Sequence, residues 1–182
     1  VTIGTDPDQV ALAVGDLAAS WDSAGRRWFR YTTPQPVTPL TAVISARYAK
    51  HVAQAHGTIV EVWHLAEHAV NVDQIAQAAL TSIGTLSARL GPMPDSLLRI
   101  VELPRWSGFG AFALRGMVLF PEHRGFLLDA RPGGVDLMLR RVAHEVAHQW
   151  WGHLVEPPQA EGSVLLVESL AKDAELVVVG AV

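Results

Sequence analysis

Two histidines four residues apart, with a glutamate directly after the first, are the residues of this chain best suited to chemistry: His144-Glu145-Val146-Ala147-His148. On a helix, positions i and i+4 share a face, so both imidazoles can converge on one cation. Glu145 is turned away from that face and can reach a cation-bound water instead of the cation itself. In such an arrangement zinc polarises water for hydrolysis while a carboxylate takes the proton. The chain has eight histidines and no cysteine, so a metal must be held by His, Asp or Glu and no disulfide framework exists.

A catalytic zinc takes three protein ligands and leaves its fourth position to water. The third ligand should therefore be a carboxylate on an element that folds back over the first helix. Glu168, in LLVESLAKDAEL, fits this need, because Pro157 and Pro158 forbid a continuous helix and reverse the chain before it. On spacing alone Glu156 and Glu161 in the linker and Glu175 further along remain alternatives. The competing expectation is an accidental match on an amphipathic helix whose apolar stripe is Leu139, Val142, Val146 and Trp150. His64 and His68 also stand four apart, but Leu65 follows the first and the run is expected to bend before a helical turn forms. His153 is expected at the surface or as a helix C-cap, where a cation is favourable. One ring of the Trp150-Trp151 pair is expected to pack inward, and His123 has no partner at a usable spacing.

HEVAHQWWGHLV followed by LLVESLA resembles the zinc site of the gluzincin metallopeptidases, most closely the M1 aminopeptidase family and its branch fused to ABC-2-type permease segments. Nineteen residues, 149 to 167, separate His148 from Glu168, one more than in typical members and matching that branch. The resemblance implies one zinc on His144, His148 and Glu168, with Glu145 as general base. GAFALRGMVLFPE, from Gly110 to Glu122, is similar to the family's GAMEN segment and the strand after it. Gly110 and Ala111 would then pair with substrate backbone, which needs no side chain. Ala113 and Leu114 stand where the family has its amine-binding Glu and its Asn, so strict aminopeptidase specificity is not expected. VEVWHLAEHAVNVDQI resembles the family's strand-to-helix passage, and VALAVGDL the end of its N-terminal β domain. The transition-state tyrosine and one cleft wall would lie beyond Val182, since Tyr31 and Tyr48 are far upstream. The isolated chain is accordingly expected to have little peptidase activity. A second expectation, from the altered GAMEN positions, is a zinc-retaining module that binds peptides and regulates a transporter without cleaving them.

The elements that must position these residues read as strands followed by helices, an α+β pattern. Strands are expected at 1–5, 9–14, 27–32, 42–49, 58–64, 97–103 and 110–120, where apolar and β-prone residues run between turn formers. A helix follows Asn71, whose side chain can cap it with Gln74 as reciprocal partner; Ile75, Ala78, Leu80, Ile83, Leu86 and Leu90 keep the helical period until Gly91-Pro92. After a loop with Pro132, Gly133 and Gly134, two helices are expected at about 136–151 and from 163 onward. The Pro34–Pro39 stretch divides residues 1–33, the end of a β domain, from 34–182, a thermolysin-like gluzincin subdomain of mixed sheet and zinc-bearing helices.

Of 182 residues, 49% are hydrophobic and 18% charged, with a net charge of −4, a composition for a folded core and against disorder. Neither sign forms a block, which argues against nucleic-acid or anionic-membrane partners. The apolar run from Leu176 to Val182 falls far short of the roughly 20 residues a spanning helix needs. A soluble segment is expected, and the resemblance implies a bacterial parent anchored in a membrane through permease segments. The start at Val1 without Met and the stop inside LVVVGAV fit a piece of a larger protein.

Overall fold

The computed structural model describes residues 1–34, 41–107, 110–129, 136–158 and 160–182. In chain order these hold strands β1 (Thr2–Thr5), β2 (Val10–Ala13), β3 (Asp16–Ser23), β4 (Arg26–Thr32), β5 (Val43–Ala46), β6 (Tyr48–Ala55) and β7 (Thr58–Leu65). Helix α1 (Val72–Leu90), strands β8 (Leu97–Leu103), β9 (Phe112–Leu114) and β10 (Met117–Pro121), and helices α2 (Leu137–Ala147) and α3 (Ser163–Val179) follow. The class is α+β with a mixed sheet. The expected loop at Pro132-Gly133-Gly134 and most of the 34–39 stretch lie outside the described residues.

A five-stranded sheet in the order β6-β7-β8-β10-β9 carries the helices. Its three central strands are parallel, and each edge strand is antiparallel to its neighbour. The parallel step from β7 to β8 runs through α1, because parallel neighbours need a long crossover. Alternation along β10 assigns its faces: Val118 and Phe120 pack with the helices, while Met117 and Leu119 pack with Leu12 and Val14 of the N-terminal strands. Those strands form a three-stranded sheet, β1-β4-β3, and a separate pair, β2-β5. The β2-β5 pairing joins residues on the two sides of the expected junction.

Several local expectations change. Strand β3 escapes sequence patterning because all eight of its residues are exposed. The 42–49 segment divides into β5 and β6, and β6 runs on to a tight turn at His56-Gly57, both with positive φ. The 110–120 segment is a hairpin, β9 and β10, turning at Arg115-Gly116. Asn71 does not cap α1 with its side chain. Its Nδ2 donates instead to the carbonyls of Gly125 at 2.9 Å and Leu128 at 2.8 Å, so tertiary partners outcompete the local cap. At the other end of α1, Gly91 (φ 92°) ends the helix, and its carbonyl accepts the indole N–H of Trp150 at 3.1 Å. Trp150 is buried, as one ring of the pair should be, while Trp151 is partly buried. Among the described residues no helix is long and apolar enough to cross a membrane.

Candidate metal centre

Helix α2 begins at Asp136, whose carboxylate accepts the N–H of Leu139 at 2.9 Å, and it ends earlier than its periodicity suggests. After Ala147 the chain tightens into turns closed by Gln149 N–H to Val146 and Trp150 N–H to Ala147, and Gly152 (φ 116°) completes the exit. A side chain on Gly152 would also press on Val167 of α3 at 3.3 Å. Helix α3 therefore lies close over α2. Its buried positions Ala171, Glu175 and Val178 continue a stripe from Glu168, spaced three and four apart.

This packing gathers the three residues singled out for a metal. Ligand atoms of His144, His148 and Glu168 all lie within 4.8 Å of one another. His144 Nε2 is 3.1 Å from Glu168 Oε2, and His148 Nε2 is 3.6 Å from Glu168 Oε1. The imidazoles meet edge to face, with centroids 4.9 Å apart. Protonation at His148 is arranged for ligation, because Nδ1 faces the carbonyl of Trp151 at 3.1 Å and Nε2 is left as the lone-pair nitrogen. His144 Nδ1 is buried with no hydrogen-bond partner, but Glu175 Oε2 stands 3.6 Å away. Burial, foremost, and the neighbouring His148 hold the His144 pKa below its usual value, which favours the neutral ligand form. Two imidazoles and one carboxylate are thus gathered within ligand distance of one another, and this donor set suits zinc. Glu156 and Glu161 take no part in the group, and Glu175 sits behind it.

Glu175 is 2% exposed and held by Arg140 at 2.7 Å and Lys172 at 2.5 Å. Metal-bound histidines commonly pass their second N–H to such a carboxylate, which fixes the ring's orientation. Glu145 is 8% exposed and lines one cleft together with His144. Burial, then the charge of Glu168, raises its pKa to about 8, with Arg124 pulling the other way. A carboxylate with affinity for a proton near neutrality is suited to general-base work. Gly110 and Ala111 lie with His144 and Glu145 along one cavity of about 390 Å³. A larger cavity, about 540 Å³, lies at the far end of the sheet by His56 and Arg115, where Asp95 already neutralises Arg115 at 3.0 Å.

Two residues after the motif do work that its spacing does not advertise. Gln149, 1% exposed, accepts the N–H of Gly116 at 2.8 Å and donates to the carbonyl of Leu114 at 3.0 Å. His153, expected at the surface or as a C-cap, donates Nε2–H to the carbonyl of Ala113 at 3.2 Å, and burial lowers its pKa. Together they fasten the β9-β10 hairpin to the metal helix. Ala113 and Leu114 are buried and offer no carboxylate. The other histidine pair is not a ligand pair: His64 is buried in β7, while His68 sits at a kink in a short 3₁₀ segment (Ala66–Asn71) and bonds Glu102. Ligand atoms of His68, Glu102 and Glu122 do cluster within 4.8 Å. There the buried Glu102 is already satisfied by His68 and by the backbone N–H of Leu65. No family model matches the chain, and a search of curated proteins returns no significant match.

Proposed function

We propose that this chain is the metal-binding part of a zinc-dependent peptide hydrolase, with His144, His148 and Glu168 as the zinc ligands and Glu145 as general base. One observation carries the reading: ligand atoms of His144, His148 and Glu168 lie within 4.8 Å of one another, and Glu145 lines a cleft beside His144. When bound, zinc would supply the Lewis acid that activates water and polarises the scissile carbonyl. The Glu145 carboxylate accepts the proton of the attacking water and returns it to the departing amine nitrogen. The backbone of Gly110 and Ala111 pairs with an extended peptide along the cleft. Ala113 and Leu114 leave no anion to hold a free α-ammonium, so a strict requirement for a free N-terminus is not part of the proposal.

The mixed sheet with two overlying helices is read as the thermolysin-like gluzincin subdomain, in line with the resemblance of HEVAHQWWGHLV and GAFALRGMVLFPE to the M1 family. The apolar pair at 113–114 also favours a second reading, a zinc-retaining module that binds peptides without cleaving them. Hydrolysis of an N-acetylated peptide by the zinc-loaded full-length protein separates the two. Activity lost by roughly 10²–10⁴-fold in Glu145→Gln with zinc content unchanged supports the hydrolase. Zinc-bound protein that leaves the peptide intact, with or without Glu145, supports the module.

A further inference from the structure

Four basic side chains from three elements line the cleft beside Glu145: Arg140 and Arg141 from α2, Lys172 from α3, and Arg124 from the single turn after β10. Among the described residues the carboxylates on that lining are Glu145 and Glu175. Arg140 and Lys172 share the single charge of the buried Glu175. Arg124 and Arg141 form no direct ion pair with a carboxylate among the described residues, although the charge of Arg124 is felt at Glu145. Arg141 Nη1 donates to the backbone carbonyl of Arg124 at 2.8 Å, which draws the two residues together. Burial, and after it the charge of Arg124, depresses the Arg141 pKa, so this guanidinium is partly desolvated beside a like charge. Two neighbouring cations without an ion-pair partner repel, and an incoming anion relieves both the repulsion and the lost hydration.

Position gives the anion its identity. The same cavity includes His144, Glu145 and the Gly110-Ala111 backbone, so whatever is drawn to the arginines lies along the bound peptide. A guanidinium fork matches the planar carboxylate in geometry as well as charge. We propose that the cleft selects peptides bearing a carboxylate beside the bond to be cleaved, with Arg124 and Arg141 as the residues that read it. This specificity rests on the peptidase reading above. The carboxylate can belong to an Asp or Glu side chain or to the peptide's own C-terminus.

The test is calorimetric binding to zinc-loaded Glu145→Gln protein, which slows turnover, and to zinc-free unsubstituted protein, which keeps the Glu145 charge; the preference must appear in both. The probes are acetyl-Ala-Ala-Xaa-Ala-Ala-amide with Glu, Gln or Lys at Xaa, and the Gln peptide with a free C-terminal carboxylate. A carboxylate-bearing peptide should bind at least about tenfold more tightly than the neutral one, with the Lys peptide weakest. Whichever arm, Glu side chain or free terminus, gains that factor identifies the source. Adding Arg124→Gln and Arg141→Gln should reduce the preference to less than about threefold with zinc content unchanged. Equal binding of all peptides, a preference that survives both substitutions, or no binding at millimolar peptide overturns the proposal. A carboxylate preference in a full-length protein that hydrolyses nothing sinks the peptidase reading alone. Hydrolysis indifferent to peptide charge sinks the specificity alone.

Discussion

Replacing Glu175 by Gln removes a buried negative charge while keeping its shape, and the consequence for zinc can be worked from its neighbours. If His144 ligates through Nε2, its proton must sit on Nδ1, and Glu175 Oε2 stands 3.6 Å from that nitrogen. A shift of roughly 0.7 Å brings the two to hydrogen-bond length. Losing such an outer carboxylate typically weakens metal binding about 10–100-fold, or about 1.4–2.7 kcal/mol. Arg140 and Lys172 also lose their counter-charge, but their side chains are 34% and 53% exposed and can recover water. Destabilisation of the metal-free fold should therefore stay near 1–2 kcal/mol. Competition with a chromophoric zinc chelator measures the affinity, thermal unfolding without metal measures the fold, and Glu161→Gln, an exposed carboxylate, is the control. Zinc affinity of Glu175→Gln within twofold of the unsubstituted protein would refute the claim that Glu175 orients His144.

Other expectations follow from the same contacts. Gln149→Leu should cost about 1–3 kcal/mol, because the Gly116 N–H and the Leu114 carbonyl lose their partner; urea unfolding that shows no loss removes Gln149's role in holding the hairpin. The His68 pKa is raised, first by its hydrogen bond to Glu102 and further by the charges of Glu102, Glu122 and Glu67. The fold thus favours protonated His68, a stabilisation complete below the imidazole's ordinary 6.5 and lost as pH rises through the higher folded value. In metal-free protein, His68→Gln should flatten that decline, and identical urea midpoints against pH in both proteins would contradict it. The full-length protein should hydrolyse a peptide with an acetylated N-terminus at least as well as the same peptide with a free one. A preference of about a hundredfold for the free amine would mean that another acid anchors it.

Patterns that depend on burial alone were legible in the chain, and those that depend on tertiary partners were not. The α1 period is visible because each side chain's polarity follows the face it occupies, whereas β10, buried on both faces, reads only as an unbroken apolar run. Strand β3 is fully exposed, so Leu17 and Trp21 carry no period that marks a strand. Asn71 has the residue type of a cap, yet the carbonyls of residues 125–128 claim its amide, and nothing local announces them. Within the site, His144 and His148 are found by helical geometry and Glu168 by the need for a third ligand on a helix that returns. Glu175 is set apart from the exposed helix residues around it by burial and by its partners Arg140 and Lys172, which spacing does not reveal. Arg124 and Arg141, seventeen positions apart, meet only because the turn after β10 packs against α2.

The metal content of the purified chain and its variants tests the central claim most directly. After zinc loading and exhaustive dialysis, elemental analysis should find one zinc per chain in the unsubstituted protein and in Glu145→Gln. His148→Ala and Glu168→Gln should each lose nearly all of it, since two remaining ligands do not hold a tetrahedral site. Equal zinc in all four proteins, or a loss in Glu145→Gln as complete as in His148→Ala, would contradict the assignment of His144, His148 and Glu168 as ligands and Glu145 as base.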